Sequence, residues 1–150
     1  MQLFLREATR ADAESLGRRL RPLDAAEAFA ASGLCPHKAV VDCWQRSEFC
    51  VAGYSSSHPL PVAIFGFAHL SWDCVSPWML CADVPRGLWP AFMRTSRRLS
   101  QALSECFPRQ RGWVDARHVQ AQKWLALLGF SFSEPLPYGP FGLPFLEFFK

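Results

Sequence analysis

Few side chains of this 150-residue sequence are spaced to move a proton. His118 follows Asp115 by three residues, and an imidazole close to a carboxylate is a common general base. His69, Asp73 and Glu48 are the alternative bases that the sequence leaves open. Because single histidines at the ends of strands and helices serve structure more often than catalysis, the competing interpretation is a structural His118.

A basic cluster on a predicted helix is suited to phosphate chemistry. Arg94, Arg97 and Arg98 are spaced i, i+3 and i+4, so they share one helical face. Guanidinium groups on one face can bind phosphates or an acidic partner. The alternative interpretation is an ordinary solvated face of the helix.

Several other chemistries lack their motifs. No G-x-S-x-G sequence sets up a nucleophilic serine, and the six cysteines include no C-x-x-C pair. No H-x-x-x-H pair or carboxylate cluster indicates a metal, so no metal site is expected. We expect the cysteines to serve mostly as small buried apolar residues.

The composition indicates one globular domain over residues 1–150 with a surplus of aromatic side chains. Half of the residues are hydrophobic and 14% are aromatic, while 19% are charged, against a typical value of about 25%. Large exposed apolar patches usually mark contact with a partner. We therefore expect protein–protein contacts through aromatic residues.

Charge and hydropathy restrict the expected partners and location. The net charge of +3 is modest, so no specific nucleic-acid binding is expected. Charges at Arg6 and Glu7 interrupt any signal peptide, and the best apolar run, residues 61–70, is too short for a membrane span. The sequence predicts a protein made in the cytoplasm with no membrane span.

Periodicity and turn residues predict alternating strands and helices. The predicted strands are residues 4–8, 48–54, 62–70, 78–82, 112–116, 130–132 and 145–149. The predicted helices are two before Gly33 separated at Pro22, one over residues 40–44, and two longer ones over residues 90–107 and 120–128. Asp24 and Glu27 form a capping pattern for the second helix. Residues 135–142 are rich in Pro and Gly and are predicted to form an exposed irregular loop.

The order of these elements resembles that of the GNAT N-acetyltransferases. The segment HVQAQKWLALLGF, residues 118–130, is similar in register to the GNAT pattern N-x-x-A-x-x-x-Y-x-x-x-G-F. Ala121, Gly129 and Phe130 match, whereas His118 and Leu125 replace the Asn and the Tyr. The resemblance implies an α/β fold with a mixed, mostly antiparallel central sheet flanked by helices.

The same resemblance implies where acetyl-CoA would bind if the protein were an enzyme. GNAT enzymes hold its pyrophosphate on a loop of the form Q/R-x-x-G-x-G/A, at a helix N-terminus. Residues 86–91 correspond to that loop, but a Trp replaces the central Gly and Pro90 has no N–H, so the loop is degenerate. The residues assigned to this degenerate cofactor site are Arg86, Gly87, Leu88, Trp89 and Ala91.

The resemblance also bears on the general acid. GNAT enzymes usually carry a Tyr at the position that Leu125 occupies here, and a Leu side chain has no proton to give. Tyr138, on the later loop, is the candidate substitute.

A second resemblance covers nearly the whole chain, to the GNAT-like proteins of short-tailed bacteriophages, a family that includes an internal virion protein. It implies a virion location, synthesis in the host cytoplasm, other phage structural proteins as partners, and an oligomer within the virion. The residues that carry it are Arg6, Ala8, Thr9, Asp12, Leu20, Arg21, Pro22, Asp24, Glu27, Phe65, Gly66, Trp78, Leu80 and the final aromatic strand.

These observations support three hypotheses. The first is a phage virion or assembly protein with a degenerate acyl-CoA site, no cofactor and a role in protein–protein contacts. The second is an active N-acyltransferase that uses acetyl-CoA at a divergent site. The third is a small effector that binds a host protein through the same surface.

Overall fold

A computed structural model describes all 150 residues. The strands are β1 (Leu3–Glu7), β2 (Phe49–Ser55), β3 (Ala63–Ser71), β4 (Cys74–Cys81), β5 (Arg109–Asp115), β6 (Ser131–Phe132), β7 (Leu136–Tyr138) and β8 (Leu143–Phe149). The helices are α1 (Arg10–Gly17), α2 (Pro22–Ser32), α3 (Pro36–Arg46), α4 (Trp89–Cys106) and α5 (Val119–Leu127), with a 3-10 turn at Arg86–Leu88.

The strands form one mixed sheet in the order β1-β2-β3-β4-β5-β8-β6, and β7 extends it by pairing with β8. Every pair is antiparallel except β4 with β5. The predicted fold class, a mixed and mostly antiparallel sheet flanked by helices, is therefore confirmed.

Helices cover both faces of this sheet. On one face, α1 and α3 pack on β2 and β3 around Leu16, Val40 and Ile64. On the other face, α4 packs through Phe92 against Phe65. Helix α5 lies on that second face as well, where it packs on β5 and β8. None of the helices combines the length and the apolar composition that a membrane crossing requires.

Local signals in the sequence explain several helix ends. The Thr9 side chain accepts a hydrogen bond from the Asp12 amide, and the Asp12 carboxylate accepts one from the Thr9 amide, which completes a capping box for α1. Gly33 ends α2 with a positive φ of 73°. Pro22 begins α2, where a missing N–H costs nothing.

Two local predictions are wrong. Asp24 does not cap α2, because Arg21 occupies the N-cap position and the Asp24 carboxylate bonds to other elements instead. The segment 135–142 is not wholly irregular, because it contains β7. Pro137 is tolerated in that strand because β7 pairs on one side only, which leaves its other edge without ladder partners.

A substitution in β5 tests the packing that supports the site. A Cβ added at Gly112 would lie 2.2 Å from the Phe148 ring, which is itself buried under α5. We expect Gly112→Ala to lower the free energy of unfolding by about 1–3 kcal/mol in urea denaturation, as overpacking does. The control is Gly53→Ala in β2, where the nearest atom is a mobile Leu3 methyl group at 3.3 Å. If the two variants lost the same free energy of unfolding, the close packing of Gly112 against the Phe148 ring would be contradicted.

Candidate active site

The sheet opens between its two parallel strands. Strands β4 and β5 pair only at Cys74 with Arg109 and at Val75 with Gln110, and no ladder joins them beyond these residues. The gap widens into a cleft of about 1050 Å³ that reaches both faces of the sheet. Side chains from α2 and α3 line it on one face, and side chains from α4 and α5 line it on the other.

The β4 edge of this cleft offers main-chain hydrogen bonds. At its far end the edge is occupied, because the Cys81 amide donates to the Asp24 carboxylate and the Cys81 carbonyl accepts from the Arg21 amide. Successive residues of a strand point their N–H and C=O groups to opposite edges, so residues two apart point them to the same edge. Met79, two residues before Cys81, therefore points its N–H and C=O into the cleft. Pro77, the next such residue, contributes only a carbonyl.

The β5 edge is arranged in the same way. Gln110 exchanges both main-chain hydrogen bonds with Lys150 on the β8 side. By the same alternation, the peptide groups of Trp113 face the cleft, whereas the Asp115 carbonyl already accepts hydrogen bonds from the His118 amide and from Gln122 Nε2. A ligand with amide groups can therefore bind between the two strands as an additional strand would.

Three buried polar atoms along this cleft have no hydrogen-bond partner. They are Glu27 Oε2, Gln110 Oε1 and Trp124 Nε1, and the only other such side-chain atom is Arg19 Nε. An unsatisfied buried polar group costs about 1–3 kcal/mol, so natural folds retain few of them. A ligand that supplies one acceptor and two donors would satisfy all three.

Asp24 joins three elements at the open end of the cleft. Its carboxylate accepts hydrogen bonds from the Cys81 amide at 2.8 Å, from Arg21 Nε at 3.0 Å and from His118 Nε2 at 2.8 Å. Burial by itself would raise the pKa of Asp24, but the His118 hydrogen bond and the Arg21 charge hold that pKa below its ordinary value. Asp24 is therefore a buried carboxylate that ties α2 to β4 and to α5.

His118 has a structural place in this arrangement. Its Nδ1 accepts a hydrogen bond from the Ala121 amide at 3.2 Å, which caps α5, so its proton is on Nε2 and points to Asp24. The predicted partner, Asp115, instead pairs with Arg117 at 2.7 Å. Because both ring nitrogens are engaged, His118 orients α5 and has no free nitrogen to act as a base.

Glu27 is a candidate base that sequence reasoning missed. It lies one turn after Asp24 on α2 and forms no ion pair. Burial, together with the negative charges of Asp24 and Asp115, raises the pKa of Glu27 to about 8. A carboxyl group with that pKa is suited to take a proton near neutral pH. No local pattern marks it, because its burial depends on how α2 packs against β5.

The other predicted bases lie at the closed end of the cleft. His69 contacts Glu48 at 3.4 Å, and Asp73 pairs with Arg109 close to the last β4–β5 pair. They are separated from Glu27 by the length of β4. The structure therefore does not bring these candidates together with the Asp24 and Glu27 group.

Tyr138 and Leu125 occupy different surroundings. Tyr138 lines the cleft on β7, where its ring stacks on Trp113 with centroids 4.5 Å apart. Leu125, on the sheet-facing side of α5, is buried against Val114 and Phe148. Its neighbour Trp124 presents the unpartnered indole N–H described above. Tyr138 therefore remains the nearest phenol to the site.

The predicted cofactor loop has few free amide groups. The Leu88 amide donates to the Pro85 carbonyl at 2.9 Å, the Trp89 amide donates to the Arg86 carbonyl, and Pro90 has none. Leu88 is fully buried, and the Trp89 ring packs edge-on against Phe92. None of the predicted residues, Arg86, Gly87, Leu88, Trp89 and Ala91, lines the cleft.

Four arginines near this loop are without counter-ions. Arg86 precedes α4, and Arg94, Arg97 and Arg98 follow on its exposed face. None of the four forms an ion pair within the chain. This end of α4 therefore presents cationic groups to solvent where the loop itself presents few amides.

The splayed parallel strands within an otherwise antiparallel sheet define the fold of the GNAT acetyltransferases. Solved structures with the same fold include Ard1 from Thermoplasma volcanium, with a TM-score of 0.74 and 14% identity over 100% of this chain and 97% of that one. A second is yncA from Salmonella typhimurium with its cofactor acetyl-CoA, with a TM-score of 0.68 and 11% identity over 99% of this chain and 92% of that one. A third is AAC(6')-Ib in complex with ribostamycin and coenzyme A, with a TM-score of 0.67 and 15% identity over 100% of this chain and 93% of that one.

At these identities the likeness establishes the fold alone. No protein-family model matches the sequence, and no curated protein matches it. Of these three structures, that of yncA contains acetyl-CoA and that of AAC(6')-Ib contains coenzyme A. None of these findings bears on the predicted phage origin, virion location or partners, which stay predictions.

Proposed function

We propose that this protein is an N-acyltransferase that moves an acyl group from acetyl-CoA to an amine. The observation that carries the proposal is the cleft between β4 and β5, which holds unpartnered polar atoms on both faces of the sheet. This favours the second sequence hypothesis over a protein whose acyl-CoA site is lost.

The chain's own residues fit the pantetheine arm of acetyl-CoA better than its diphosphate. The arm carries two amides and a thioester, which suit the free strand edges at Met79 and Trp113. Gln110 Oε1 and Trp124 Nε1 add an acceptor and a donor on the α4 and α5 face. The site therefore holds the arm through groups that no other part of the chain satisfies.

The phosphates would rely on side chains where GNAT enzymes rely on loop amides. The closed 3-10 turn and Pro90 leave little for a backbone cradle. Helix α4 carries three arginines without counter-ions, Arg94, Arg97 and Arg98. A guanidinium group can donate two parallel hydrogen bonds to two oxygens of one phosphate. We therefore expect the affinity for acetyl-CoA to fall as the salt concentration rises.

Glu27 would be the base in this reaction. An amine arrives as an ammonium ion, and one of its protons passes to the Glu27 carboxylate and then to solvent. The amine nitrogen bonds to the acyl carbon, the carbon–sulfur bond breaks, and the second proton ends on the departing thiol. Tyr138 is the candidate relay, because its phenol can give a proton to the departing thiolate and take the second proton from the amine nitrogen.

The test is amine-dependent release of coenzyme A from acetyl-CoA by the purified chain. Mass detection of the acetylated amine is preferable to a thiol dye, because Cys35 and Cys106 are exposed. Turnover above the enzyme-free rate with at least one primary amine is the expected result. A folded protein that acetylates no member of a broad amine panel would contradict the proposal.

A non-catalytic role in protein contacts, including the proposed virion assembly role, is the second candidate. The observation that favours it is the exposure of large apolar side chains, led by Trp72 at 89% and accompanied by Phe4 and Phe49 at about half. Recovery of the protein in purified particles, combined with no turnover, would support this candidate. Its absence from such particles would count against it.

A further inference from the structure

We propose that the acceptor is a small primary amine carrying a flat apolar or aromatic body, and that polypeptide chains and polyamines are poor acceptors. This inference rests on the proposed acyl transfer, because it assigns the second substrate of the same cleft. Its basis is the α2 and α3 side of the cleft, opposite the face where Gln110 and Trp124 serve the donor.

The walls on that side are small or aromatic. Helix α2 contributes Ala28 and Ala31, while the strands contribute Trp78, Trp113 and Tyr138. The Trp113 and Tyr138 rings are stacked within 20° of parallel, and Tyr138 is also in contact with Phe145, so both rings are held in place. A flat apolar group can pack against such rings with little loss of conformational freedom.

The charges on that side leave a single unpaired group. Asp42 pairs with Arg46 at 2.8 Å, and Arg111 pairs with Glu147 at 2.8 Å. Arg21 and His118 are both bonded to Asp24. Glu27 alone lines the cleft as an acid without a cationic partner, so the site is built for one positive charge.

The hairpin of β7 and β8 closes the end of this side. Phe141, in its turn, packs against Phe29 of α2 with the rings tilted by 31° and their centroids 5.1 Å apart. A Cβ added at Gly139 would lie 2.3 Å from the Ala30 carbonyl oxygen, so the hairpin backbone lies directly on the helix. No groove remains between α2 and the hairpin for an extended chain to cross.

These features together define the acceptor. A polypeptide needs an open groove and main-chain partners, and a polyamine needs several free acids. A single unpaired acid in a chamber with aromatic walls suits neither. An arylalkyl amine places its ammonium group at Glu27 and its ring between the aromatic walls.

The experiment compares acetyl transfer to tryptamine, 2-phenylethylamine, spermidine and a ten-residue peptide with a free N-terminus. We expect kcat/KM for the two aromatic amines to exceed the other two by at least about 100-fold, since each lost contact and each unpaired charge costs roughly tenfold. Equal or better turnover of the peptide or spermidine would overturn the inference while leaving the acyl transfer itself intact.

A variant supplies the matched control. Trp113→Leu keeps an apolar side chain but removes the stacked ring, and we expect it to raise KM for tryptamine by about tenfold. The affinity for acetyl-CoA should change far less than this KM, because the pantetheine arm would bond to the main chain of Trp113, which the substitution keeps. Trp72→Leu, at the exposed tip of the β3–β4 turn, should change neither quantity. An unchanged KM in Trp113→Leu would contradict the assignment of the aromatic wall.

Direct binding separates failure of this inference from failure of the proposed function. If no amine is acetylated and acetyl-CoA does not bind, the proposed function is wrong. Calorimetric titration with tryptamine alone still tests the chamber: saturable binding that Trp113→Leu weakens supports the inference, and no binding overturns it.

Discussion

Glu27→Gln is expected to lower kcat/KM for amine acetylation by about 10²–10⁴-fold, the usual contribution of a positioned general base. The amide keeps the size of the side chain but cannot accept the proton. Stopped assays with tryptamine and acetyl-CoA over pH 6–9.5 measure the effect. Glu14→Gln, at an exposed carboxyl of α1, is the control and should keep full activity.

The pH dependence separates a base from a merely structural acid. Burial raises the pKa of Glu27 to about 8, so wild-type kcat/KM should rise through that pH as the carboxyl group ionises. The ionisation of the amine substrate affects wild type and variant alike. The ratio of the two profiles should therefore show one step near pH 8, and a flat ratio would contradict the role.

The raised pKa of Glu27 also makes the free energy of unfolding depend on pH. The folded protein keeps the Glu27 proton up to about pH 8, whereas the unfolded chain loses it near pH 4.5. Wild-type stability therefore falls as the pH rises between these values, by roughly 1.4 kcal/mol for each unit of difference in pKa. Glu27→Gln should remove this fall in urea denaturation.

Asp24→Ala is expected to cost about 3–5 kcal/mol of unfolding free energy, which for a chain of this size can abolish folding at moderate temperature. The substitution leaves the Cys81 amide, the Arg21 guanidinium and His118 Nε2 without their common partner. The pKa of Asp24 is lower in the folded protein than in the unfolded chain. Its contribution to the free energy of unfolding is therefore fully present at pH values above the ordinary carboxyl pKa, and it is lost as the pH falls through the lowered pKa.

A surface carboxylate gives the matched control. Asp42 pairs with Arg46 on the exposed face of α3, and such pairs contribute about 0–1 kcal/mol. Urea denaturation at pH 7 compares Asp24→Ala with Asp42→Ala. If the two variants lose similar amounts, Asp24 is not the buried link between α2, β4 and α5 that the hydrogen bonds indicate.

Local patterns in the sequence predict much of the scaffold. The Thr9 and Asp12 capping box, the Gly33 helix end and the β2–β3 hairpin all involve residues that are close along the chain. The segment from His118 to Phe130 predicts α5 and the fold family for the same reason. Such features depend on short-range sterics and hydrogen bonds, which a single sequence displays.

The site depends on contacts that the sequence does not display. His118 and Asp24 are 94 positions apart, so the nearer Asp115 was the wrong partner to choose from spacing. The pKa of Glu27 is raised only because α2 packs against β5 and places the carboxyl group near Asp24 and Asp115. The small number of free amides in the loop 86–91 was predictable in part, since Pro90 lacks an N–H, whereas the hydrogen bonds that the other amides form inside the 3-10 turn were not.

The measurement that tests the central claim most directly is an NMR titration of the ¹⁵N-labelled chain with acetyl-CoA, following the six tryptophan indole N–H signals. The Trp124 signal, assigned with Trp124→Phe, should shift with a saturable dependence on acetyl-CoA because its buried N–H gains a partner. The exposed Trp72 signal should stay in place. If no indole signal moves up to millimolar acetyl-CoA, the cleft between β4 and β5 is not an acyl-CoA site.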